Sequence, residues 1–168
     1  MQGLTKVIGR LLKNRENEER LIWTMLTGLT HHEGLGYNRA VYFDCMSNTQ
    51  YTGRYAVGPI NDDDAMVKYE GLERLERKPS LDDSIPEAPL SNKALTNHIK
   101  GKILDDSYFG GDPKVVDLTD IAFMPSAQEV VTLGLSSEGK SYGALLVDNF
   151  VTGIRPSEKD KNILALAG

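Results

Sequence analysis

Few side chains in this chain could start chemistry. Cys45 is the one thiol, and His31, His32 and His98 are the imidazoles. A lone cysteine can act as a nucleophile or redox centre, but no second thiol in the chain would regenerate a sulfenic acid. The plainer reading is a small hydrophobe filling space in a strand. A single cysteine excludes an intrachain disulfide and a four-cysteine zinc site, and it fits a reducing, cytoplasmic compartment. His31-His32-Glu33 closes an apolar helical pattern, where imidazolium meets the negative end of the helix dipole, and this outweighs metal ligation. His98 falls in a later helical segment, where a solvent-facing helix histidine is the preferred reading. The acidic runs Asp62-Asp63-Asp64 and Asp82-Asp83 suggest a cation site. A negatively charged helix start explains the first more simply, and a solvated loop the second. No phosphate loop, nucleophile elbow or metalloprotease helix occurs.

The elements that must position these residues follow from spacing. Leu4, Val7, Ile8, Leu11 and Leu12, then Leu21, Ile22, Met25, Leu26 and Leu29, recur at helical intervals around the polar run Lys13 to Arg20. One helix with two apolar patches is favoured: residues 1–20 pair with a partner chain or link, and the second patch packs on the domain. Gly34, Gly36 and Asn38 end it. Ala40 to Met46 and Tyr51 to Gly58 read as a hairpin around Ser47-Asn48-Thr49. Asn61 or Asp62 caps a helix carrying Ala65, Met66, Tyr69, Leu72 and Leu75. Pro79 to Pro89 reads as a loop, and Ser91 caps a helix carrying Leu95, Ile99 and Ile103. After a loop over Asp105 to Pro113 come a short strand at Val115 to Leu118 and a hairpin of Glu129 to Ser136 with Ser141 to Val147. A helix opens at Pro156-Ser157, with Asp160 at capping-box spacing. Hairpins between helices predict an α+β fold on an antiparallel sheet.

Composition bounds the rest. The chain of 168 residues carries a formal charge of −5, with 40% hydrophobic and 26% charged residues, ordinary values for one globular core. No segment approaches the ~20 apolar residues of a membrane span, and no signal-peptide core follows Met1. An acidic chain without a Lys/Arg cluster lacks the footprint of a nucleic-acid binder.

Gly34-Leu35-Gly36-Tyr37-Asn38-Arg39-Ala40-Val41 resembles the entry to the first strand of bacterial GAF sensory domains. Tyr55-Ala56-Val57-Gly58-Pro59 resembles the end of the second strand, and Gly143-Ala144-Leu145-Leu146-Val147-Asp148-Asn149 a late strand followed by the helix of Asp160 to Ala167. The resemblance spans residues 21–168, which it marks as a GAF-like domain. It implies a sheet of about six strands, with terminal helices on one face and a pocket under loops and helices on the other. Val41, Phe43 and Cys45 would floor that pocket, and His98, Tyr108 and Phe109 would lie over it. There His98 would contact a ligand or ligate haem, although no cofactor is required, and Cys45 would be the place for a bilin or redox role.

The cyclic-nucleotide branch of that family carries an Asn-Lys pair, a Phe and an Asp-Glu pair. Here these positions hold Asp148-Asn149, Ile154 and Glu158-Lys159, so its lysine–aspartate bridge cannot form. The expectation is a non-catalytic, small-molecule-sensing domain of a bacterial signalling protein, with a sensor histidine kinase as its output. It would pair as a homodimer through terminal helices. The alternatives are a redox enzyme of GAF fold acting on a small oxidised metabolite, for which resolving cysteines are missing, and a ligand-free dimerisation module. The apolar pattern still runs at Ala167, so a fragment of a larger protein is expected.

Overall fold

The computed structural model describes residues 18–75, 77–109, 114–117, 129–137 and 140–148. The stretch 1–17 and the helix expected from Pro156 lie outside them. Helix α1 (Glu18–Thr30) runs unbroken through the expected boundary at residue 20. It buries Ile22, Trp23, Leu26 and Leu29, whose spacing forms one stripe. The turn after it returns across its own end: a Cβ at Gly34 would lie 1.8 Å from the Gly28 carbonyl oxygen, so only glycine fits.

Strands β1 (Arg39–Cys45) and β2 (Gln50–Val57) form the expected hairpin. Helices α2 (Asp62–Glu73), α3 (Leu81–Ser91) and α4 (Lys93–Ile99) follow. Next come β3 (Ile103–Asp105) and a 3-10 turn (Asp106–Tyr108), then β4 (Lys114–Asp117), β5 (Glu129–Ser137) and β6 (Lys140–Asp148). Among the described residues all pairings are antiparallel, in a six-stranded sheet of order β3-β2-β1-β6-β5-β4.

Two differences from the sequence reading stand out. The segment expected as a loop, Pro79 to Pro89, is mostly α3. Its start is a capping box, in which the Ser80 hydroxyl accepts from the Asp83 amide and the Asp83 carboxylate accepts from the Ser80 amide. Leu81, Ile85 and Ala88 are buried at helical spacing, while Pro86 and Pro89 face outward. Packing against α1 holds a helix that its prolines weaken. In addition, α4 ends at Ile99, and Ile103 belongs to β3, because Gly101 takes a left-handed turn with φ of 80° between them.

Side chains alternate across the sheet and build a core on each face. On one face Ala40, Tyr42, Leu145 and Val147 pack against Trp23, Leu26 and Leu29 of α1. On the other, Val41, Phe43, Ala144 and Leu146 meet Leu95 and Ile99 of α4. A bulge between Tyr42 and Phe43 leaves Arg54 as the extra residue in β2, so Gly53 and Ala56 both lie on the α4 side. Each Leu, Ile or Phe so buried contributes roughly 1.5–3 kcal/mol relative to exposure.

Candidate functional site

The α4-covered face is the site to which the sequence reading pointed. Val41 and Phe43 form its floor and are fully buried. Phe109, buried just after the 3-10 turn, lies 5.5 Å from the ring of Phe43 and 4.9 Å from that of Tyr51, edge-on to Tyr51. Such pairs contribute about 0.5–1.5 kcal/mol beyond their buried area. Cys45 and Tyr108 sit half-buried at the margin of the same cluster. His98 is half-buried on α4, outside the cluster that Leu95 and Ile99 of that helix join. The structure therefore brings Val41, Phe43, Cys45, Tyr108 and Phe109 into one apolar body and sets His98 beside it.

Side-chain hydrogen bonds that the sequence reading did not anticipate hold α4 over this floor. Among the described residues, β2 has no strand partner on its outer side beyond Thr52, and α4 fills that role. The Thr96 hydroxyl accepts from the Ala56 amide at 3.2 Å and donates to the Ala56 carbonyl at 3.0 Å. The Asn92 side-chain oxygen accepts from the Gly58 amide at 2.8 Å, and its amide nitrogen donates to the Ala88 carbonyl at 2.9 Å. A Cβ at Gly53 would stand 2.2 Å from the Ile99 carbonyl oxygen, so glycine lets the end of the helix touch the strand.

The same face ends in charge. Arg39 and Asp148 are register partners on β1 and β6, and both side chains are fully buried. The Arg39 Nε donates to both Asp148 oxygens at 3.1 and 2.9 Å, and Nη2 lies 2.8 Å from Oδ2. Nη1 donates to the Ile60 carbonyl at 3.3 Å. Arg39/Asp148, Val41/Leu146 and Phe43/Ala144 thus form one row, charged at one end and apolar along the rest. Helix α2 roofs the charged end: the Asn38 amide donates to the Tyr69 hydroxyl at 3.2 Å, and Lys68 donates to the Gly58 carbonyl at 3.3 Å. Burial pushes the Tyr69 phenol above its ordinary value.

The other residues with possible chemistry have structural partners. The His31 Nδ1 accepts from the Glu33 amide, so its Nε2 donates to the Pro79 carbonyl at 3.1 Å. The Glu33 carboxylate accepts from the Leu81 amide at 3.1 Å, and the two contacts tie the end of α1 to the start of α3. The α2 cap is Asn61, and Asp64 accepts from the Ile60 amide. Asp83, expected in a solvated loop, caps α3, and the Ser80 hydrogen bonds hold its carboxyl below the usual range. The Cys45 thiol donates to the Ser47 carbonyl at 3.2 Å. Among the described residues no group of three or more His, Cys, Asp or Glu side chains could hold a metal. Among them, too, no helix is long and apolar enough to cross a membrane. An open cleft of about 190 Å³ between α1 and α3 is lined by Trp23, Ile85, Pro86 and Pro89, with Glu19 and Arg20.

Arg39, Asp148, Asn92 and Thr96 are the residues of this site that sequence reasoning missed. The available signal was the continuation of the 41, 43 alternation back to 39, and of 144, 146 on to 148. It placed two opposite charges on an inward face.

No family model and no curated protein sequence matches the chain. Solved structures do share its fold. The GAF domain of a phosphoenolpyruvate-protein phosphotransferase from Coxiella burnetii superposes with a TM-score of 0.53 at 12% identity, over 98% of this chain and 88% of that one. The corresponding GAF domain from Acinetobacter gives 0.53 at 11% identity, over the same 98% and 88%. A far-red cyanobacteriochrome photoreceptor gives 0.51 at 12% identity, over 99% of this chain and 90% of that one. The chain has a GAF-like fold.

Proposed function

We propose that this chain is a regulatory sensory domain, not itself a catalyst, that takes a small molecule on the α4-covered face. Its state would pass through paired terminal helices to an attached output domain. The observation that carries this reading is the construction of that face. An apolar floor spans the central strands β1 and β6, and separate elements cover it, namely α4, α2 and the 3-10 turn. Asp148, which closes the charged end, stands at the last position of β6 before the C-terminal segment. A ligand that repositions the cover would therefore act next to the exit of the chain. The shift it produces can be no larger than its differential affinity for the two packings. The similar folds include a photoreceptor, which supports a sensory role. A histidine kinase as output rests on the sequence resemblance.

Native mass spectrometry of the purified chain, read against its denatured mass, tests the proposal. A dimer carrying an additional small mass is the expected result. A bare dimer whose melting temperature no metabolite in a broad panel raises would leave a pairing module and overturn the sensory reading.

A further inference from the structure

Phe109 differs in origin from the rest of the apolar body. Its neighbours in the cluster come from strands and α4, whereas Phe109 follows a single 3-10 turn, none of whose own residues is buried. Hydrogen bonds to the turn come from separate elements. The Asp106 amide donates to the Thr49 carbonyl at 2.9 Å, the Phe109 amide to the Asp106 carbonyl at 3.0 Å, and the Thr132 hydroxyl to the Tyr108 carbonyl. Thr132 is itself fully buried on β5, opposite Leu146 of the floor, so its hydroxyl lies on the same face. A short irregular segment of this kind opens at lower cost than a strand or helix.

Resting on the sensory reading above, we propose that the Phe109 ring is an internal plug seated where the ligand's ring binds. The ligand class is then an uncharged six-membered aromatic ring bearing a carbonyl. The ring would replace Phe109 against Phe43 and Tyr51. The carbonyl would accept the hydrogen bond that Thr132 gives to Tyr108 when the plug is in place. An uncharged ligand matches the described residues of the cluster, which are uncharged, and the nearby Arg39–Asp148 pair, which is neutral as a unit. Displacing the plug lowers the apparent affinity by the fraction of time that it stands open, so the plug also sets the threshold of the sensor.

The test uses 2-pyridone as probe, with its saturated relative δ-valerolactam and with benzene as controls. The whole chain is labelled with 4-fluorophenylalanine, and the Phe109 resonance is assigned by its loss in Phe109→Leu. In the unsubstituted chain 2-pyridone should move that resonance toward its solvent-exposed position, and δ-valerolactam should not. Phe109→Ala should bind 2-pyridone at least about tenfold more tightly than does Ile99→Ala, which opens space in the same cluster but keeps the plug. Adding Thr132→Val should weaken 2-pyridone and leave benzene unchanged. If Phe109→Ala does not fold, Phe109→Leu and the fluorine titration decide the matter. An unmoved resonance together with no gain over Ile99→Ala overturns the plug. Some other small molecule found bound by mass spectrometry with the Phe109 resonance unmoved overturns this inference alone and leaves the sensory reading standing.

Discussion

Arg39 and Asp148 are a fully buried ion pair, an arrangement whose desolvation cost rivals its attraction. Removing one partner strands a charge, so Arg39→Met or Asp148→Leu alone should cost about 3–5 kcal/mol in chemical denaturation. The double variant should recover most of that loss. A double variant as unstable as the sum of the singles would show that the pair is not coupled. A second prediction concerns Tyr42, whose phenol burial, with the Asp44 and Glu18 charges, pushes up to about 12. The folded state thus holds this proton more tightly than the unfolded chain, whose tyrosine titrates near ~10. The stability is fully present below ~pH 10 and is lost as the pH rises toward about 12. Tyr42→Phe should flatten that part of the stability profile. At this scale the sequence showed that Val41, Phe43 and Cys45 share one strand face, since they alternate in a β-rich run. It hid Arg39 and Asp148, because a charged side chain alone reads as solvated, and only its partner 109 positions away makes burial tolerable.

Among the elements, the β1–β2 hairpin was legible because strand formers flank a short polar turn. Helix α3 was not, because its prolines outweighed a Ser80-x-x-Asp83 signal and a Leu81, Ile85, Ala88 stripe that only α1 makes meaningful. The cap is testable. Ser80→Ala should cost about 1 kcal/mol and speed amide exchange within α3 more than within α1. The lowered Asp83 carboxyl gives the sign with pH: its share of the cap is present above the unfolded value and lost as pH falls through the folded one. Asp83→Asn should remove that acid dependence. The approach of α4 to β2 makes a further prediction. Gly53→Ala places a methyl against the Ile99 carbonyl and should cost about 1–3 kcal/mol, with the loss appearing as faster exchange of the α4 amides.

For the molecule as a whole, the antiparallel sheet with α1 on one face was readable from element order, since hairpins dictate antiparallel neighbours, whereas the cover on the other face was what the GAF resemblance implied. The proposed pairing of two copies belongs to this scale as well. Leu11→Glu, in the first apolar patch of the sequence, should convert a dimer to monomer in sedimentation, and an unchanged state would reject pairing through that patch. The strand order carries one more consequence. β1 and β6 lie side by side at the centre of the sheet, yet their register joins Arg39 to Asp148 across most of the chain. The β1–β2 and β5–β6 hairpins are local and can form early. Joining them closes a loop of about a hundred residues, at an entropic cost of about 4 kcal/mol before any contact between them is gained. A nascent chain on the ribosome must therefore hold half a sheet, with the backbone edge of β1 unpaired, until β6 has emerged.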